Sequence, residues 1–277
     1  MTSASGLSLT LLPGTRRLLA AHARELPQRD DLCGAFCGSL ALHAAGLAAD
    51  ADGGPLDQDA VALAAGSLVS ATPEPAELPG GASRRDYRLA LPQIADAKRS
   101  GTTAGGVVEA IERLAQGQLA AIPWSGPFDP ATLAGLFDLV AGLERPATLL
   151  ANHATRYLWG SRPSIAQLLG YMLDGDADGP PPEWDVGHFA CVVAAADGPG
   201  GRLYAVADTY PALGARGLHL QPQEQLAAAI ERREMPAGGV IAAVAAEDAP
   251  AVRTGAALLG LQEGTWDNGT ATTASAA

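Results

Sequence analysis

The chain has 277 residues, 48% of them hydrophobic, enough for one large buried core or two small ones. Its formal net charge of −12, from 30 acids against 18 bases, repels phosphate backbones and argues against nucleic acid as a partner. Three cysteines do not make a disulfide framework. With no basic region before an apolar run in residues 1–10, and no unbroken apolar stretch of about 18 residues, the expectation is a cytoplasmic protein away from membranes.

Leu11 to Glu25 has helical spacing, opened by Pro13-Gly14 and ended by Pro27, which disfavours helical geometry in the residue before it. Gln28 to Leu32 reads as a polar loop. Cys33 to Gly46 is predicted as a helix that is apolar nearly all round and therefore central, with Asp30 and Asp31 at its positively polarised start. Asp57 to Val69 is a third helix, with Asp57 or Asp59 as its cap. The Pro- and Gly-rich stretch Ala71 to Ser83 reads as a surface connection, and Tyr87 to Leu91 as a short strand. Thr102-Thr103 caps a helix from Ala104 to Leu114, followed by a buried strand, Leu119 to Trp124. Asp129-Pro130 starts a helix reaching Leu143. Ala147 to Asn152 is a strand, and Pro163 to Leu173 a helix capped by Ser161.

After the loop Asp174 to Pro182 the pattern turns to strands: His188 to Ala195, Arg202 to Asp208, Gly217 to Leu220 and Val240 to Ala246, with a helix from Gln223 to Arg233 among them. The Gly-rich run at 197–201 joins two strands and is a turn, not a phosphate loop. From Glu263 the Gly/Thr/Ala/Ser-rich tail, 263–277, is expected to be disordered. Residues 1–262 then form a single α+β domain, its helical N-terminal part and central Cys-bearing helix packed on a C-terminal antiparallel sheet.

Three separated residues carry the chemistry. Cys33 stands at a helix start, where the helix dipole lowers a thiol's pKa from its ordinary ~8.5 and favours the thiolate nucleophile. Gly34 beside it leaves room for a substrate to reach the backbone N–H of the first turn, which with the Gln28 amide can hold a developing oxyanion. His188, preceded by Gly187, opens a strand. Asp208 ends the next one, and a hairpin would bring its carboxylate level with the imidazole to fix tautomer and orientation. Asp185 is a second acid near the histidine. Taken singly, each residue has a plain structural reading: a small buried thiol, a satisfied strand histidine.

Gln28, then Cys33-Gly34 at a helix start, then Gly187-His188-Phe189 opening a strand and Asp208 closing the next, resemble papain-like cysteine peptidases, closest to the bacteriocin-processing C39-type branch. The resemblance covers residues 28–46 and 187–211. It implies a papain-like fold with Cys33 as nucleophile, His188 as base, Asp208 as orienting residue and Gln28 in the oxyanion hole. It implies a peptide substrate and no cofactor. Trp184 lies close enough in sequence to His188 to line a substrate cleft with Gly187.

The expected function is therefore a cysteine hydrolase or acyl transferase acting on a peptide or amide bond. Alternatives are a papain-fold protein of ribosomal peptide maturation, such as a thioether-forming cyclase working with partner enzymes of a lanthipeptide-type pathway, and a non-catalytic peptide-binding module. Cys33 and Cys37 with His188 or Cys191 do not have the spacing of a zinc ribbon or finger. His22, His43, His153 and His219 read as structural or exposed, Trp124 and Trp159 as packing, and Glu231-Arg232-Arg233-Glu234 as a solvated helix end.

Overall fold

Strands that are apolar at nearly every position, such as Leu119 to Trp124 and Val240 to Ala245, cannot leave either face in water. A sheet built from them must be covered on both sides. That is the architecture in the computed structural model, which describes residues 6–72, 78–81, 83–232 and 235–273. The elements run β1 (Ser8–Leu11), α1 (Thr15–Glu25), α2 (Cys33–Ala44), α3 (Gln58–Ala65), β2 (Val69–Ser70), β3 (Gln93–Ile94), α4 (Ala104–Leu114), β4 (Leu119–Ser125), α5 (Pro130–Ala141) and β5 (Thr148–Ala154). They continue with α6 (Ile165–Asp174), β6 (Gly187–Asp197), β7 (Arg202–Ala207), β8 (Leu218–Pro222), α7 (Gln223–Glu231), β9 (Gly239–Ala245), α8 (Ala249–Leu258) and β10 (Gln262–Glu263).

The fold is α+β. Its main sheet has the order β10-β4-β9-β5-β6-β7-β8, with antiparallel neighbours, and β1 pairs with the far half of β6. On one face, Phe189, Cys191, Val193 and Ile241 pack against the apolar sides of α1 to α4. On the other, Val192, Tyr204, Val240 and Ala242 pack against α5, α7 and α8. α2 contributes Ala35, Phe36, Cys37, Leu40, Ala41 and Leu42 to the first core, all buried, which explains its lack of a polar stripe.

Several expectations are corrected. The sheet is not confined to the C-terminal part: β1, β4 and β5 come from the first 160 residues. Tyr87 to Leu91 forms no strand; its backbone is held by Asp59, whose Oδ2 accepts from Leu89 N at 3.1 Å and also from Arg88 N. The third helix ends at Ala65, so Val69 lies in β2. Ser164, not Ser161, caps α6, in a capping box with Gln167, while Ser161 donates to Glu183. β1 and α8 were not anticipated.

The tail through residue 273 is tied down in place of the expected disorder. Trp266 is buried, its Nε1 donates to Asn152 Oδ1 at 3.0 Å, and Ala271 N donates to Arg99 O at 2.9 Å. Residues 1–5, 73–77, 82, 233, 234 and 274–277 lie outside the described residues. With them lie part of the N-terminal stretch, part of the 71–83 connection, the last two residues of the Glu-Arg-Arg-Glu run and the end of the tail. Among the described residues no helix is long and apolar enough to cross a membrane.

Candidate active site

α2 begins at Cys33 with no side chain capping it; the preceding residue is the apolar Leu32. The two acids expected to complement the helix dipole are used otherwise. Asp30 accepts from Arg84 N at 2.8 Å and from the Ser83 hydroxyl. Asp31, in a left-handed backbone conformation (φ 66°), accepts from Ser70 N at 2.7 Å and Ser100 Oγ at 2.8 Å. They anchor the 70 and 83–100 segments around the helix start. Cys33 is partly exposed there and lines a cleft of about 600 Å³.

His188 enters the same cleft from the start of β6. The position of Asp208 depends on one irregularity. From the hairpin turn, Asp197 pairs with Arg202 and Ala194 with Ala205, a register that would set Asp208 opposite Cys191, on the face toward α2. A bulge at Val193 shifts the pairing by one, so Cys191 faces Ala207. Asp208 then follows opposite Ala190, on the face that His188 shares, because a one-residue slip exchanges the two sides of a strand.

The Asp208 carboxylate is buried and fully occupied. Oδ1 accepts from His188 Nε2 at 3.1 Å and from Thr209 N at 2.6 Å, and Oδ2 from His219 Nε2 at 3.3 Å. The His219 tautomer follows from its neighbour. Trp159 N donates to Gln221 Oε1 at 2.8 Å, which leaves Gln221 Nε2 to donate to His219 Nδ1 at 3.0 Å. His219 therefore carries its hydrogen on Nε2 and donates it to Asp208. Burial alone would raise the Asp208 pKa, but the His188 charge and the hydrogen bonds from both rings hold it well below the usual carboxylate range.

Burial likewise opposes a charged His188. The Asp208 charge and hydrogen bond, with a smaller contribution from the Cys33 sulfur, outweigh it and push the ring up to about 10. Since Nε2 is taken by Asp208, Nδ1 is the nitrogen left for Cys33. Cys33, His188 and Asp208 are thus brought together as a connected row.

The model of a family described as a family of unknown function, DUF6885, matches residues 12–267. The chain belongs to DUF6885. No curated protein matches it.

Around the row of this DUF6885 protein, the other predicted residues divide. Gln28 is buried at the cleft; its Oε1 accepts from the Thr209 hydroxyl, and its backbone N–H donates to Thr209 O at 2.9 Å. Trp184 packs edge-on against the His188 ring, centroids 5.0 Å apart, and lines the cleft with Gly187. Gly34 does not serve the substrate space expected for it: a Cβ there would meet Val107, Thr102 and Phe189 at 3.0–3.3 Å, so it lets the helix start pack closely. Asp185 pairs with Arg156 at 2.7 Å, away from the imidazole. Cys37 and Cys191 are buried together in the first core, the Cys191 thiol 4.0 Å from Cys37 O.

Four residues of the site were not anticipated as such in DUF6885: Thr209, His219, His153 and Arg232. His153 pairs with His188 across β5 and β6, the rings 5.7 Å apart and edge to face. Arg232 was read as part of a solvated helix end, yet it is 3% exposed and lines the cleft. At φ 26° it leaves α7 in a conformation rare for a side-chain-bearing residue. Its guanidinium donates to Asn152 Oδ1, to Ala237 O and, at 3.4 Å, to His153 O. No sequence signal marks Arg232; the Asp-Thr pair at 208–209 was the available hint for Thr209.

Proposed function

We propose that the protein is a papain-like cysteine enzyme that attacks a peptide or amide carbonyl through Cys33, His188 and Asp208. The observation that carries this reading is the His188 ring, held between the Cys33 thiol and the buried Asp208 carboxylate at the edge of an open cleft. A Cys-bearing helix packed on an antiparallel sheet whose strand supplies the histidine supports the papain-like assignment.

In this reading the Cys33 sulfur bonds to the carbonyl carbon and the carbonyl electron pair moves to oxygen. The Cys33 N–H and the Gln28 amide N–H receive that oxyanion. Thr209 fixes which end of the Gln28 amide can serve: its hydroxyl occupies Oε1, so Nε2 is the end left to donate. Collapse expels the amine, which takes the proton from His188 Nδ1 and leaves a thioester. Water, deprotonated by the now neutral His188, releases the acid and restores the thiol.

Alkylation tests this directly. Iodoacetamide should label Cys33 selectively at pH 7, since Cys37 and Cys191 are buried, and His188→Ala should slow labelling at least tenfold. Labelling that is as slow as that of a free thiol, or indifferent to His188→Ala, would count against the nucleophile. Identification of the labelled residue by peptide mass mapping makes the outcome unambiguous.

A further inference from the structure

A buried guanidinium needs an acid, and Arg232 finds none among the described residues. Among the described residues no carboxylate lies within ion-pair distance of it, and all its hydrogen bonds go to uncharged oxygens. Its Nε hydrogen has no partner among the described residues. Neutral amides stabilise a buried cation less than a carboxylate does, so part of its desolvation cost stands uncompensated in the free protein.

The guanidinium is also held in place. Both hydrogens of one terminal nitrogen are used, on Asn152 Oδ1 and Ala237 O, and Asn152 is itself fixed by donating to His188 O at 3.2 Å and accepting from Trp266 Nε1 at 3.0 Å. The other terminal nitrogen, Nη1, makes one long bond to His153 O and keeps a hydrogen free. That nitrogen lies beside Gly187, where a Cβ would come within 3.0 Å of it, so the missing side chain keeps the approach from the cleft open. Gly187 and Arg232 line the cleft together with Cys33 and His188.

The acids that share the cleft do not compete for this charge. Asp30 and Asp31 are committed to the 70–100 segments, and Asp185 to Arg156. Burial lowers the Arg232 pKa to about 10, which leaves the group cationic at neutral pH, and the charge of the Cys33 sulfur opposes that lowering.

We infer that Arg232 forms an anion subsite beside Cys33 that selects substrates carrying a carboxylate next to the bond under attack. Such a carboxylate comes either from an acidic side chain or from the substrate's own C-terminus, and both present the same two oxygens to the guanidinium. The inference rests on the cysteine-enzyme reading for what happens after binding, and not for the binding itself.

Two small alkylating agents separate the two claims. Iodoacetate and iodoacetamide differ in carrying a carboxylate or a neutral amide; each loses iodide as the Cys33 sulfur bonds to carbon. The ratio of their rates at Cys33 should fall at least tenfold in Arg232→Gln and recover in Arg232→Lys, with the iodoacetamide rate changing far less. Gly187→Ala, which leaves the arginine in place and narrows its approach, should lower the same ratio. A ratio unchanged in both Arg232→Gln and Gly187→Ala overturns the subsite and leaves the nucleophile standing.

A second readout avoids sulfur chemistry. In Cys33→Ala protein, acetyl-Ala-Ala-Ala with a free C-terminus and acetyl-Ala-Glu-Ala-amide are titrated against acetyl-Ala-Ala-Ala-amide, and binding is followed by NMR. Tighter binding of one charged peptide, lost in Arg232→Gln, identifies the carboxylate's source. Equal binding of all three sinks the inference even if Cys33 proves unreactive.

Discussion

The ends of β5 and β6 place two histidines side by side, and they behave oppositely. His153 and His188 are cross-strand partners, both buried, their rings in edge-to-face contact. Burial drives the His153 pKa down to about 3, helped by the His188 charge, and its Nε2 has no partner among the described residues. Burial pushes His188 the same way, yet Asp208 and Cys33 hold it up at about 10. The strand supplies the ring and the dry setting; a single carboxylate decides whether that ring is a structural filler or a cation beside a thiol.

The largest effect should come from removing that carboxylate. Asp208→Asn keeps the shape and takes away the charge, so the burial of His188 is opposed by Cys33 alone and its pKa falls well below 10. Cys33 alkylation at pH 7 is expected to drop by roughly a hundredfold. Urea unfolding should show a loss of about 3–5 kcal/mol, the usual cost of breaking a buried pair. An unchanged pH profile in Asp208→Asn would show that the two histidines differ for another reason.

Thr209→Val sharpens the picture of the site without touching either ring's charge. It frees the Gln28 amide, so turnover of an amide substrate should fall about tenfold. The iodoacetamide rate, which involves no oxyanion, should stay nearly constant. Loss of both rates together would place Thr209 in support of His188, whose Nε2 lies 3.3 Å from its hydroxyl, and not of Gln28.

The smallest effect on activity belongs to His153→Phe, with the alkylation rate staying within about threefold. Its signature is in the pH dependence of stability. A base whose folded pKa lies at about 3 costs stability as pH falls from its unfolded value near 6.5, by roughly 1 kcal/mol per unit. Removing it should flatten that acid limb. The alkaline side belongs to His188: its contribution is complete below about 6.5 and is lost as pH rises toward 10, so this limb should survive in His153→Phe and weaken in Asp208→Asn.

Cys33, His188 and Asp208 were legible because each sits at an element boundary with its own local signal: a glycine after, a glycine before, a turn following. What joins them was not legible. The bulge at Val193 leaves no mark in a run of Val and Ala, and without it the hairpin argument would have aimed Asp208 at the wrong side. His219 reaches Asp208 only through the pairing of β7 with β8, and His153 reaches His188 only through that of β5 with β6. Arg232 was misread because charge next to charge at a helix end usually means solvent; here the backbone turns at that residue and drives its side chain inward. Covering of the sheet on both faces was hidden by the Ala-rich strands and by α8, whose Ala, Gly and Thr give little helical periodicity.

The ribbon joining His188 to Asp208 is sensitive to register in a way that point changes do not reveal. Drawing position 193 into the ladder opposite Val206, with no residue removed, would turn the acid through the plane of the sheet and set it opposite Cys191. Lengthening the tip near Pro199, where the chain reverses, leaves the sidedness of everything below it intact. Homologous chains should therefore vary in size at that tip and keep the imidazole and the acid on one side of the sheet.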